Sequence, residues 1–245
     1  MFNVTKLQEL LVTYKYSFSK DIQLPSGNVC NHWYDEKYKW IGYKAFQDNW
    51  DIDASDFYYM TGKAFIEIDR SLNRGIERPL AGISKLAKAD PECVRGLFSD
   101  LYNEKIDVIT RYNTFMHNMT LLYENIMHKN VGIYKQSSHA VSVYLSLKYP
   151  EKYFIYTKSH INALAKYLEC KWTCGNMPKV ATYNFFSEFY HQVRIKLKQD
   201  EQLMSILQDH IDDTMYQDPK LTLLTTDLAY FVKHFINELE LQDYI

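Results

Sequence analysis

Glycine and proline are scarce, at eight and six residues in a chain of 245. That scarcity excludes a low-complexity or disordered chain, and an aromatic content of 16% supplies the side chains for a packed core. Cysteine is scarcer still. Cys30, Cys93, Cys170 and Cys174 lie too far apart in type and spacing to form a disulfide framework. Cys170 and Cys174 are four residues apart with no second close pair to face them, so neither zinc nor any other metal is expected. No apolar run approaches the roughly 20 residues that cross a bilayer, so no membrane contact is expected. The first twenty residues carry Lys6, Glu9, Lys15 and Lys20 among their apolar positions, unlike a signal peptide, and the expectation is a reduced, cytoplasmic protein. An excess of positive charge is also missing: 28 basic against 30 acidic residues leave a net charge of −2. Binding to nucleic acid through a global field is thereby excluded, and any such contact needs a local patch.

Catalytic signatures are absent as well. There is no Gly-x4-Gly-Lys-Ser/Thr loop to cradle a triphosphate, no Gly-x-Gly-x-x-Gly, no His-Glu-x-x-His and no Gly-x-Ser-x-Gly elbow. The eight histidines are scattered, and the carboxylate pairs Asp51/Asp53 and Asp212/Asp213 sit where helices start or loops turn. The chain reads as a non-enzyme without a cofactor, although a site assembled from distant residues would leave no such signature.

What is present is a period of 3.6. Val4, Leu7, Leu10, Leu11 and Tyr14 mark an opening amphipathic helix that should stop near Leu24-Pro25-Ser26-Gly27. Tyr34, Tyr38, Ile41 and Ala45 mark the apolar stripe of a helix over 31–48. Phe57, Met60, Ala64, Phe65, Ile68 and Leu72 predict a third, behind carboxylates at 51–56 that suit a helix start. Pro91 after Asp90 fits a first helical position. Further stripes are predicted over 104–128, over 140–147, at Phe186, Phe189, Tyr190, Val193 and Leu197, and from Leu224 to Leu239. Tyr153-Phe154-Ile155-Tyr156 is the one segment with the character of a strand. The fold class expected is mainly α, a multi-helix bundle with at most one small strand pairing. The break in periodicity at 129–138 divides it into a helical subdomain 1–130 and a second, 131–245, unless the two form one continuous domain.

Two segments mix rings with ammonium groups. In the first, Trp33, Lys37, Trp40, Lys44 and Gln47 fall on one helical face, offset from the Tyr34/Tyr38 stripe. Such a face is either a wide buried surface with snorkelling lysines, or a wall where rings stack on bases and lysines meet phosphates. In the second, Lys148, Tyr149, Lys152 and Tyr153 surround a helix–strand junction. That junction is either an aromatic plug in the core or a pocket for an extruded base.

The same two segments carry a resemblance. Asn31-His32-Trp33-Tyr34-Asp35-Glu36-Lys37-Tyr38-Lys39-Trp40, the stretch from Phe46 to Ala54, and the stretch from Val143 to Tyr153 resemble the N-terminal region of McrB-like AAA+ proteins, the motor subunits of modification-dependent restriction systems. Leu223 to Phe231 resembles the linker that precedes the nucleotide-binding core there. The sequence ends at Ile245, about where the phosphate-binding loop of those relatives begins, so hydrolysis does not carry over to it. The resemblance implies a target-recognition module that selects DNA, often with a modified base, for an AAA+ motor core and a nuclease subunit.

The leading expectation is therefore DNA binding, with Lys37, Lys44, Lys148 and Lys152 on phosphates and Trp33, Trp40, Tyr149 and Tyr153 stacking or lining a base pocket. Four such lysines give a log–log salt slope of about −3.6. The alternative is a protein-interaction or sensor module of an antiphage defence system, favoured by the near-neutral charge and by 21 tyrosines and four tryptophans. A cluster of exposed rings without flanking lysines would mark that alternative.

Overall fold

A computed structural model describes residues 2–23, 29–73, 76–128 and 132–236. The protein is mainly helical, in keeping with the bundle expected. The helices are α1 (Val4–Ser19), α2 (His32–Glu36), α3 (Tyr38–Asn49), α4 (Phe57–Phe65), α5 (Asp69–Leu72), α6 (Pro79–Ala89), α7 (Pro91–Tyr102), α8 (Val108–Met127), α9 (Ser138–Lys148), α10 (Lys158–Tyr167), α11 (Val180–Leu197), α12 (Glu201–His210) and α13 (Thr222–Phe231), the last running into a π turn at Val232–Ile236. Among the described residues the only strand pairing joins β1 (Ile22–Gln23) to β2 (Val29–Cys30), antiparallel, with Ile22 opposite Cys30. The stop expected at Leu24–Gly27 lies outside the described residues.

Local chemistry explains most helix starts. Asn3, Asp56, Asp90, Asp107, Ser137 and Asp200 each accept from backbone N–H groups that the first turn leaves unpaired. The stripe Phe57, Met60, Ala64, Phe65, Ile68 and Leu72 is buried as expected, although a 3-10 turn at Ile66–Ile68 divides it between α4 and α5. At that turn the chain passes so close to α3 that a Cβ on Gly42 would meet the Ile68 side chain at 2.9 Å.

Two expectations are corrected. The segment 153–156 forms no strand. Among the described residues it joins no sheet; it is a linker between α9 and α10, with all four side chains buried. Tyr156 N–H is satisfied by the Ser142 hydroxyl at 2.9 Å rather than by a ladder. The helix over 31–48 is split at Lys37, and the Trp33/Trp40 face is the one buried, as in the wide-surface reading, while Tyr38 and Ile41 of the expected stripe are only partly buried against the core. Tyr34 is 69% exposed, whereas Trp33, Trp40, Tyr43 and Phe46 lie inside. The larger rings at 33, 40, 43 and 46 also follow helical spacing, and burying them removes more apolar area than burying Tyr34, Ile41 and Ala45 would.

One contiguous core runs from Leu7 to Ile236. Helix α9 packs on α3, α7 and α8, and α1 packs on α12, so both halves of the sequence contribute to the same interior. Residues 129–131, within the boundary expected near 130, lie outside the described residues.

Candidate functional site

The residues expected to bind nucleic acid are mostly committed elsewhere. Trp40 is 0% exposed, and Trp33 is buried against it with ring centroids 4.9 Å apart. Neither indole face is open to a base. Lys44 pairs with Asp48 at 2.6 Å, and Lys152 pairs with Glu104 at 2.5 Å. Tyr153 is buried, accepting from Arg111 at 2.6 Å and donating to Glu104 at 2.8 Å. Tyr149 is half-buried and donates to the Tyr102 carbonyl at 2.7 Å. The junction is thus an aromatic plug. Lys37, 4.9 Å from the Tyr34 ring centre, and Lys148, 5.9 Å from that of Tyr102, have no carboxylate within ion-pair distance among the described residues.

A second cluster was invisible in the sequence. Asp227, at the middle of α13 and 1% exposed, accepts from Tyr14 of α1 at 2.7 Å, from His32 of α2 at 2.7 Å and from Lys39 of α3 at 2.7 Å. Lys39 also faces Glu36 at 2.7 Å and lies 4.2 Å from the Tyr230 ring centre. Burial alone would raise the Asp227 carboxyl, yet the Lys39 ammonium and the His32 imidazole outweigh it and hold the group far below the usual carboxylate range. Burial would depress Lys39, and Asp227 with Glu36 reverses that. Every member is enclosed, so no substrate reaches these charges. Their role is to fasten three N-terminal helices to α13, and breaking one partner of such a buried set typically costs about 3–5 kcal/mol.

The third place is open. Along the outer face of α11, Ala181, Asn184, Phe185, Glu188, Phe189, Gln192 and Lys196 line a groove of about 850 Å³, closed on its other sides by Phe2, Val4, Cys170 and Trp172. The walls are fixed by specific contacts. Asn3 N–H donates to the Leu168 carbonyl at 2.8 Å and Asn3 Nδ2 to Glu169 at 2.7 Å, which sets Phe2 edge-on to Phe189. Glu169 adopts a left-handed φ of 54°, turning the chain out of α10 toward Trp172. The 170–178 loop is pinned where Asn162 brackets Cys174 through both its amide atoms and Tyr156 donates to the Gly175 carbonyl at 2.7 Å. The result is a ladder of stacked rings. Trp172 lies 5.3 Å from Phe185, which lies 5.9 Å from Phe189 at an interplanar angle of 9°.

Trp172 is 61% exposed. No family model matches the chain, and no curated protein or solved structure does either. The site is therefore read from its chemistry. Burial pushes the Cys174 thiol up to about 11, so it stays protonated and is no nucleophile at neutral pH. Among the described residues no group of three or more His, Cys, Asp or Glu could hold a metal ion, and no helix is long and apolar enough to cross a membrane. The α11 groove has apolar and aromatic walls, the Cys170 side chain, two amides and two opposite charges.

Sequence reasoning missed this groove because its parts come from residues 2–4, 170–172 and 181–196. Phe185 and Phe189 at a spacing of four, beside the buried stripe Phe186/Tyr190, were the one available signal.

Proposed function

We propose that the chain is a protein-recognition module, without chemistry of its own, that grips an apolar segment of another protein in the α11 groove. One observation carries the reading: a large indole is presented to solvent on a braced loop, continuing a stack of two phenylalanines, whereas Trp33 and Trp40 are packed inside. Aromatic anchors around a pre-formed apolar cleft are the usual centre of a protein interface. Glu188 within the groove opposes a phosphate backbone. The resemblance to McrB-like proteins supplies the setting, in which this module selects the target for an AAA+ motor and its nuclease in an antiphage system.

DNA selection is the second reading. It rests on that resemblance and on Lys37 and Lys148, the two proposed phosphate contacts with no carboxylate within ion-pair distance among the described residues. Two contacts rather than four lower the expected salt slope to about −1.8, or about 12-fold between 50 and 200 mM salt. The test is a photo-crosslinking amino acid placed at Trp172 and, separately, at Lys148, in cells challenged with phage. Protein recognition predicts nuclease-resistant polypeptide adducts from position 172 alone. Adducts to DNA from position 148, with methylated or unmodified duplex binding at a slope of about −1.8 or steeper, would reverse the order of the two readings.

A further inference from the structure

The groove continues beyond the ring ladder. A second hollow of about 440 Å³, lined by Val4, Leu7, Gln8 and Leu11 of α1, shares Val4 and Lys196 with it. From Ala181 to Lys196 the exposed face of α11 spans fifteen residues, or about 22 Å of helix axis. The cleft is thus straight, with an apolar floor, and as long as about four turns of helix.

Two of its charges, Glu188 and Lys196, lie along α11, and Asp200 and Glu201 flank the second hollow beside Lys196. Glu188 is held only by the Gln192 amide at 2.7 Å, and Lys196 only by the Gln199 amide oxygen at 3.3 Å. Neither has an oppositely charged partner among the described residues, while the neighbouring Asp200 is already neutralised by Lys15 at 2.9 Å. Eight residues separate Glu188 from Lys196, which places the two charges about 12 Å apart along one rim.

We infer that the occupant is an amphipathic α-helix of a partner protein, about four turns long, with a basic side chain opposite Glu188 and an acidic one about two turns away opposite Lys196. This rests on the reading of the groove as a protein-recognition surface. A peptide bound by strand addition would need an exposed sheet edge, and here the walls are side chains of helices and one loop; a helix satisfies its own backbone and brings only its apolar stripe to a cleft as long as about four turns. Phosphates find one lysine in the cleft against the carboxylates of Glu188, Asp200 and Glu201, which disfavours nucleic acid. The geometry of stacked rings at 185 and 189 suits side chains at i, i+4 and i+7 entering between Trp172, Phe2 and Val4.

The test is a selection of displayed random 16-residue peptides on the full chain. The expected result is a set of binders with apolar residues spaced three and four apart and opposite charges about eight apart. Their affinity should fall at least tenfold on Trp172→Ala and on Ala181→Arg, two exposed positions whose variants should melt within about 2 °C of the parent. Glu188→Lys should invert the preferred charge at the facing position. Binders with alternating apolar residues that still depend on Trp172 would overturn the helical occupant and leave protein recognition standing. Binders indifferent to both variants, no binders at all, or quenching of Trp172 by duplex DNA would overturn both. A dimer of the chain that Ala181→Arg dissolves would also overturn the inference, since a second copy would then fill the cleft.

Discussion

The α2–α3 segment and the α11 groove are built from the same materials, rings at helical spacing with lysines nearby, and they end in opposite places. In α2–α3 both faces carry large side chains, and the split at Lys37 lets Trp33, Trp40, Tyr43 and Phe46 go inward while His32 and Lys39 hold Asp227 and Glu36 pairs with Lys39. In α11 the stripe Phe186, Phe189, Tyr190, Val193 and Leu197 serves the core, so the half-buried Phe185 at its edge is left to stack between Phe189 and Trp172. Ring density in a sequence therefore marks either an interior or a surface. What decides is whether a second buried stripe is available on the same helix.

The sharpest way to break this contrast is to remove Asp227. Asp227→Ala leaves Lys39 and Glu36 buried without it and is expected to cost about 3–5 kcal/mol in denaturant melts, more than any groove variant. Trp40→Ala should cost a similar or slightly smaller amount, about 3–5 kcal/mol, because it empties an indole-sized volume in the core. A loss below about 1 kcal/mol in either would move α2–α3 back toward the surface.

The pH dependence sharpens the same point. The folded Asp227 carboxyl lies well below its unfolded value near 3.9, so the folded state resists protonation. Its stabilisation is complete above about pH 4 and is lost as the pH falls through and below that value, by up to about 1.4 kcal/mol per unit. Chemical melts between pH 5 and pH 2 should show this slope in the parent and a shallower one in Asp227→Asn. Asp218 behaves in the opposite sense. Burial raises it to about 7 despite three N–H donors from Thr222, Leu223 and Leu224 and the nearby Arg194, so its ionised form is a cost that diminishes as pH falls from 7 toward 4. The smallest effect belongs to the exposed lysines. Lys148→Glu with Lys152→Glu should change stability by about 1 kcal/mol or less, since the Lys152–Glu104 pair is largely in solvent.

How much of this was legible depends on where the information lies along the chain. The stripes of α4 and α11, the caps at Asp56 and Asp90, and Pro91 at a first helical position depend on neighbours within a few residues, and the structure contains all of them. The face of α2–α3 was not legible, because two competing stripes satisfy the same period and only the surrounding helices choose between them. Residues 153–156 have the side chains of a strand but pair with no strand among the described residues, a fact that lies in the rest of the fold. The Asp227 clamp joins residues 188 to 213 positions apart, and the groove joins three distant segments, so neither leaves a spacing to read.

Acrylamide quenching of tryptophan emission, compared between the parent chain and Trp172→Phe, tests the contrast most directly. If Trp172 is the indole held at the surface, Trp33 and Trp40 are interior and Trp50 is half-buried against Phe46, Phe57, Phe65 and Phe98, that single substitution removes most of the quenchable emission and leaves a blue-shifted, largely protected remainder. Quenching that persists nearly unchanged in Trp172→Phe would put the accessible indoles back on α2–α3 and contradict the account.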